Sequence, residues 1–155
     1  MGSSDILLEN LKCHYEVSSI NLLAKKINYS RSILLNWSSS RSSPNLVHLN
    51  NLAYNLGIEV SQLLIKDNKF TIDTPIWRDG IENTLKNNLG RLRLEKDIHE
   101  SFFNEDYSNV LEISYRSFLR YVNGKNKRIN LVALDRLSVI LSTETYKLLE
   151  WETKK

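Results

Sequence analysis

The sequence predicts an all-α fold built from two tandem copies of one helical unit, the second copy diverged. Three observations carry this. Apolar residues recur at spacings of three, four and seven, the period of a buried helical face. "RSILLNW" at residues 31–37 returns as "RSFLRYV" at residues 116–122, an offset of 85 positions. The same offset maps Asn45-Leu46-Val47 onto Asn130-Leu131-Val132, Leu49 onto Leu134, Leu52 onto Leu137, Leu56 onto Leu141 and Leu63-Leu64 onto Leu148-Leu149. Unrelated leucine stripes would rarely share both "RS-x-L" and "NLV-x-L" at one constant displacement, so duplication is the simplest account.

The first copy divides into five elements. "DILLENLKCHY" reads as a helix with Ile6, Leu7, Leu11 and Tyr15 on one side. Ser18 or Ser19 offers the N-cap of the next, "INLLAKKI", which buries Ile20, Leu23, Ala24 and Ile27. Asn28 and Tyr29 interrupt it, and asparagine tolerates a left-handed turn. Ser30 caps a third helix with Ile33, Leu34 and Trp37 turned inward. After the polar loop "SSSRSSP", Pro44 suits the first turn of a fourth helix over residues 45–55; Gly57 ends it and "VSQLLI" forms a short fifth.

The second copy begins differently. The sequence predicts a helix from about Pro75 to Leu89, with Thr74 as N-cap. "GRLRLEKDIHESFF" has no counterpart in copy one, and its alternating "RLRLE" suits either a short strand or a helical extension. "NLVALDRLSVILS" repeats the fourth helix. The expected organisation is a first domain over 5–66, a linker over 67–74 and a second domain over 75–150. The alternative is one helical domain without an independent linker.

Composition narrows the function. With 25% charged and 41% hydrophobic residues, the chain has the balance of a folded globule. It lacks an apolar run of about 18 residues and the apolar core of a signal peptide, so no membrane partner is expected. The lone Cys13 excludes an intrachain disulfide and reads as a small buried filler. His14, His48 and His99 lack metal-ligand spacing, and neither a phosphate-binding glycine loop nor a nucleophile elbow is present. The expectation is a protein without catalytic residues, metal or cofactor.

Charge placement says more than the net +3. No Asp or Glu occurs between Glu16 and Glu59, an interval holding Lys25, Lys26, Arg31 and Arg41. None occurs between Glu112 and Asp135, which holds Arg116, Arg120, Lys125, Lys127 and Arg128. Acid-free basic stretches suit a polyanion, because each cation seated on a phosphate releases a condensed counterion. A solvated surface that happens to lack acids is the plain alternative.

"LLAKKINYSRSILLNW" followed by "NLVHLNNLAYNLGIEVSQLL" resembles the Cro/repressor-type helix-turn-helix family, also called XRE or lambda-repressor-like, over roughly residues 5–66. Leu23 and Ala24 stand at its Leu-Ala pair, Asn28 replaces the usual turn glycine, and Ser30 fits its cap. Leu49, Leu52, Ala53, Leu56, Gly57, Ile58, Leu63 and Leu64 mirror its closing pattern. In copy two, "YVNGKNKRIN" is similar to the family's phosphate-contacting loop, but the Leu-Ala pair is missing from "NEDYSNVLEI" and Ser114-Tyr115 stands where a cap belongs.

The resemblance implies a sequence-specific binder of double-stranded DNA, probing the major groove with a recognition helix and regulating transcription as a repressor. It implies a cytoplasmic, nucleoid-associated protein of bacterial or phage origin. Base reading would fall to Arg31, Ser32, Leu35 and Asn36, and in copy two to Arg116, Ser117 and Arg120, beside the exposed Tyr115 and Tyr121. Phosphate contacts would fall to Ser18, Lys25, Ser30, Ser38 and Arg41, and to Asn123, Lys125, Lys127 and Arg128. Two organisations stay open: a homodimer using copy one on DNA and copy two for assembly, or a single chain imitating a dimer. A second functional class also stays open, a protein-interaction module with a protein partner, such as an antitoxin or a mobile-element inhibitor of a host defence nuclease.

Overall fold

The computed structural model describes residues 2–103, 112–124 and 128–151. Its first copy comprises α1 (Ser3–His14), α2 (Ile20–Ile27), α3 (Arg31–Ser38), α4 (Leu46–Leu56) and a 3₁₀ turn at Val60–Leu64. The second comprises α5 (Ile81–Lys96), a 3₁₀ turn at Glu100–Phe103, α6 (Tyr115–Asn123), α7 (Leu131–Ile140) and α8 (Thr145–Leu149). The fold is all-α. Among the described residues no strand forms; there are only isolated bridges, Asn45 with Asn130 and Ile58 with Ile76.

Local chemistry sets the helix ends. Ser19 and Ser30 accept from the backbone N–H of Leu22 and Ile33, each at 3.2 Å. Asn28 adopts the left-handed conformation (φ 59°, ψ 43°) between them. Asn45 caps α4 by accepting from His48 N–H at 3.1 Å, while His48 Nδ1 accepts from Asn45 N–H at 3.2 Å, a reciprocal capping box. Pro44 therefore lies before the helix rather than in its first turn. Gly57 (φ 71°) and its equivalent Ser142 (φ 50°) make the same left-handed exit after α4 and α7.

The helix expected from Pro75 begins only at Ile81. Residues 75–77 spend their backbone groups on copy one instead. Glu59 N–H donates to Pro75 O at 2.8 Å and Trp77 N–H donates to Gly57 O at 3.0 Å. Thr74 closes a local turn, accepting from Thr71 N–H at 2.8 Å, and caps no helix. The indole of Trp77 adds a bond to Asn50 Oδ1 at 3.0 Å and an edge contact with Tyr54. At its other end α5 runs through "RLRLE", which is helix and not strand. Leu85, Leu89 and Leu92 continue one buried stripe at helical spacing, while Leu94 is exposed.

Two further expectations change. Cys13 is exposed, because α1 buries Leu7, Leu8, Asn10 and Leu11 and turns position 13 outward. In α3 only Leu34 and Trp37 are buried; Ile33 is 39% exposed.

An asparagine occupies the same place in each half of the chain. Asn10, 3% exposed in α1, donates its amide to Leu63 O at 3.0 Å and Ile65 O at 2.8 Å. Asn88, 1% exposed in α5, donates to Leu148 O and Glu150 O, both at 2.9 Å. Leu63 and Leu148 are equivalents in the repeat, so each copy ties its first helix to its last turn with the same buried amide. The pattern is L-x-x-N-L in both, at residues 7–11 and 85–89, displaced by 78 positions rather than 85.

The copies share one continuous hydrophobic core. They meet through equivalent surfaces. Leu46 N–H donates to Ile129 O at 3.1 Å and Leu131 N–H to Pro44 O at 3.0 Å. The Val60–Leu64 turn packs on its counterpart α8, α1 packs on α7, and α5 packs on α4. Under exchange of the copies the Val60–Leu64 contact with α8 maps onto itself, and the α1–α7 and α5–α4 contacts, like the two hydrogen bonds, map onto each other, the signature of an isologous, two-fold interface. Asp135 reinforces it by accepting from the N–H of Ser3 at 3.1 Å and from the Ser3 hydroxyl, placing a carboxylate at the start of α1.

Candidate nucleic-acid interface

The outward face of α3 depends on how firmly its inward face is held. Leu34 is fully buried and Trp37 is 2% exposed. The Trp37 ring meets His48 edge-on at 5.3 Å and Tyr29 at 5.8 Å. Burying a leucine and a tryptophan stabilises the docked helix by several kcal/mol, at ~1.5–3 kcal/mol for a large aliphatic side chain. This fixes the helix rotation and leaves Arg31, Ser32, Ile33, Leu35, Ser38 and Ser39 exposed and Asn36 half-exposed. Arg31 and Ser32 occupy the first turn, directly after the Ser30 cap.

α6 is held in the same way by Phe118, fully buried, and by Val122. Phe103 packs its ring against Phe118 at 5.2 Å and Tyr115 at 5.4 Å. Ser114 caps the helix, accepting from Ser117 N–H at 3.2 Å. This cap corrects the register read from sequence. Ser30 corresponds to Ser114 and Leu34 to Phe118, an offset of 84, while Asn45 and Asn130 restore 85 at the following caps. The matched letters "RS" are therefore out of phase by one residue, about 100° around the helix. Arg31 is equivalent to Tyr115, Ser32 to Arg116, and Asn36 to Arg120.

Arg116 and Arg120 are exposed, Tyr115, Leu119 and Tyr121 half-buried. Ser117 is half-buried and its hydroxyl accepts from Ser114 Oγ at 3.1 Å, so it belongs to the cap region rather than the open face. Gly124 follows because a β-carbon there would stand 2.8 Å from the Arg120 carbonyl oxygen.

Of the expected phosphate contacts, Ser18, Lys25, Ser30, Arg41, Asn123 and Arg128 are exposed. Ser38 is exposed too, its hydroxyl donating to Leu35 O at 2.9 Å. Lys125 and Lys127 lie outside the described residues, as does most of "NEDYSNVLEI", the segment that lacks the Leu-Ala pair. The bridge between Asn45 and Asn130 joins the two acid-free stretches, 17–58 and 113–134.

His48 is the titratable group built into this region. Burial against Trp37 and Tyr29 pushes its pKa below the usual histidine value, consistent with an Nδ1 that accepts a hydrogen bond. Among the described residues no group of His, Cys, Asp and Glu side chains is arranged to hold a metal ion, and no helix is long and apolar enough to cross a membrane. No family model matches the chain, and no match was found among curated proteins or solved structures.

Proposed function

We propose that this protein binds double-stranded DNA sequence-specifically and regulates transcription, as a repressor acting by occupancy. The observation that carries the reading is the rotation of α3. A core-locked Leu34 and Trp37 leave Arg31, Ser32 and Leu35 exposed and Asn36 half-exposed on one short helix, inside a stretch without a single acid. Those side chains match the chemistry of base edges in a major groove. Arg31 can bond guanine O6 and N7 together, Asn36 can serve adenine, and Leu35 can meet a thymine methyl. Lys25 and Arg41, exposed on the flanking segments, fit phosphates and would fix register without reading sequence. The turn between α2 and α3, with its left-handed Asn28 and capped Ser30, keeps the first helix of the pair rigidly behind the second.

The test is selection of bound sites from random duplex DNA at a stated salt concentration. A recurring motif is the expected result. Recovery of sequences indistinguishable from the starting pool, at both low and near-physiological salt, would refute the reading.

A further inference from the structure

We infer that one chain is a complete reader of two half-sites, and that those half-sites differ in sequence. The inference rests on the DNA-binding reading above and adds stoichiometry and target asymmetry to it.

Proteins that present one reading helix per subunit need a second copy to span two half-sites, about one helical turn (~34 Å) apart. Here the self-complementary interface is already occupied within the chain. The bridged pair Asn45 and Asn130, the Val60–Leu64 turn on α8, and the reciprocal packing of α1 on α7 and α5 on α4 are each equivalent to themselves under exchange of the copies. A two-fold relation of this kind carries α3 onto α6. The axis passes through the bridge that follows each of these helices, so the two flank it. The surface a homodimer would use is thus filled by copy two.

The two faces are unlike. In the corrected register Arg31-Ser32 is equivalent to Tyr115-Arg116, Leu35 to Leu119, and Asn36 to Arg120. A face with arginine and asparagine suits guanine beside adenine; a face with two arginines suits guanines. A homodimer imposes a palindrome on its target, whereas this chain has no reason to prefer one.

The experiment starts from a duplex pool with a randomised core. It then measures the mass of the complex on the best-enriched duplex and its hydroxyl-radical footprint. One chain per duplex is expected, with two protected patches ~10 base pairs apart and unrelated by a palindrome. Arg31→Ala should weaken binding about ten- to a hundred-fold when the first patch is intact and lose that effect when it is scrambled; Arg116→Ala should do so for the second patch. Both residues are exposed, and thermal melts of each variant establish that it folds. Two chains on a palindrome, or a single patch insensitive to Arg116→Ala, overturns the inference while leaving DNA binding intact. Failure to enrich any duplex overturns both.

Discussion

Arg31 stands exposed at the first position of α3. Replacing it with alanine should cost ~1–3 kcal/mol of affinity on the selected duplex and relax preference at one base pair. The thermal midpoint should not move; fluorescence anisotropy and a melt measure the two separately. Lys25→Ala should instead weaken every duplex alike and lower the slope of log K against log salt by about 0.9. His48 behaves differently because its pKa is lowered by burial. The unfolded chain takes up the proton first, so the contribution of neutral His48 is complete above about pH 6.5 and is lost as pH falls through the lower folded value. His48→Gln should flatten the stability loss between pH 7.5 and 5.5 relative to the parent, read by urea midpoints at each pH.

Among the elements, α1 and α5 depend on one buried amide each. Asn10→Ala or Asn88→Ala leaves one buried and one part-buried carbonyl oxygen without their donor. Each change should cost about 2–4 kcal/mol in urea unfolding, since an unsatisfied buried acceptor costs ~1–3 kcal/mol. The sequence announced α2, α3 and α4 through caps and stripes that are local: Ser30, Asn28 and the leucines between them sit where the pattern placed them, whereas Asn45, read as the first helical residue, is the cap of α4. It hid the start of α5, because residues 75–77 hydrogen-bond to Glu59 and Gly57, a long-range choice invisible to a local reading. The L-x-x-N-L pair is present in the sequence but displaced by 78 positions, outside the constant offset of 85 that aligns the leucines. The outward faces of α3 and α6 were half legible. α3 was placed correctly apart from Ile33, whereas the chance alignment of "RS" shifted α6 by one residue and sent Ser117 to the wrong side.

For the whole molecule, the continuous core and the equivalent surfaces between copies predict a single cooperative unfolding unit. Asn88→Ala lies in copy two, yet it should lower hydrogen-exchange protection of α2 amides in copy one by the same free energy as in α7. Unchanged protection in α2 would mean that the two halves open independently. The pairing of the halves has a further consequence. Partners that meet by diffusion separate on dilution, so their assembled fraction falls with total concentration. Here the partners are consecutive stretches of one polypeptide and their encounter is unimolecular. A cell holding a handful of these molecules would have every one of them assembled.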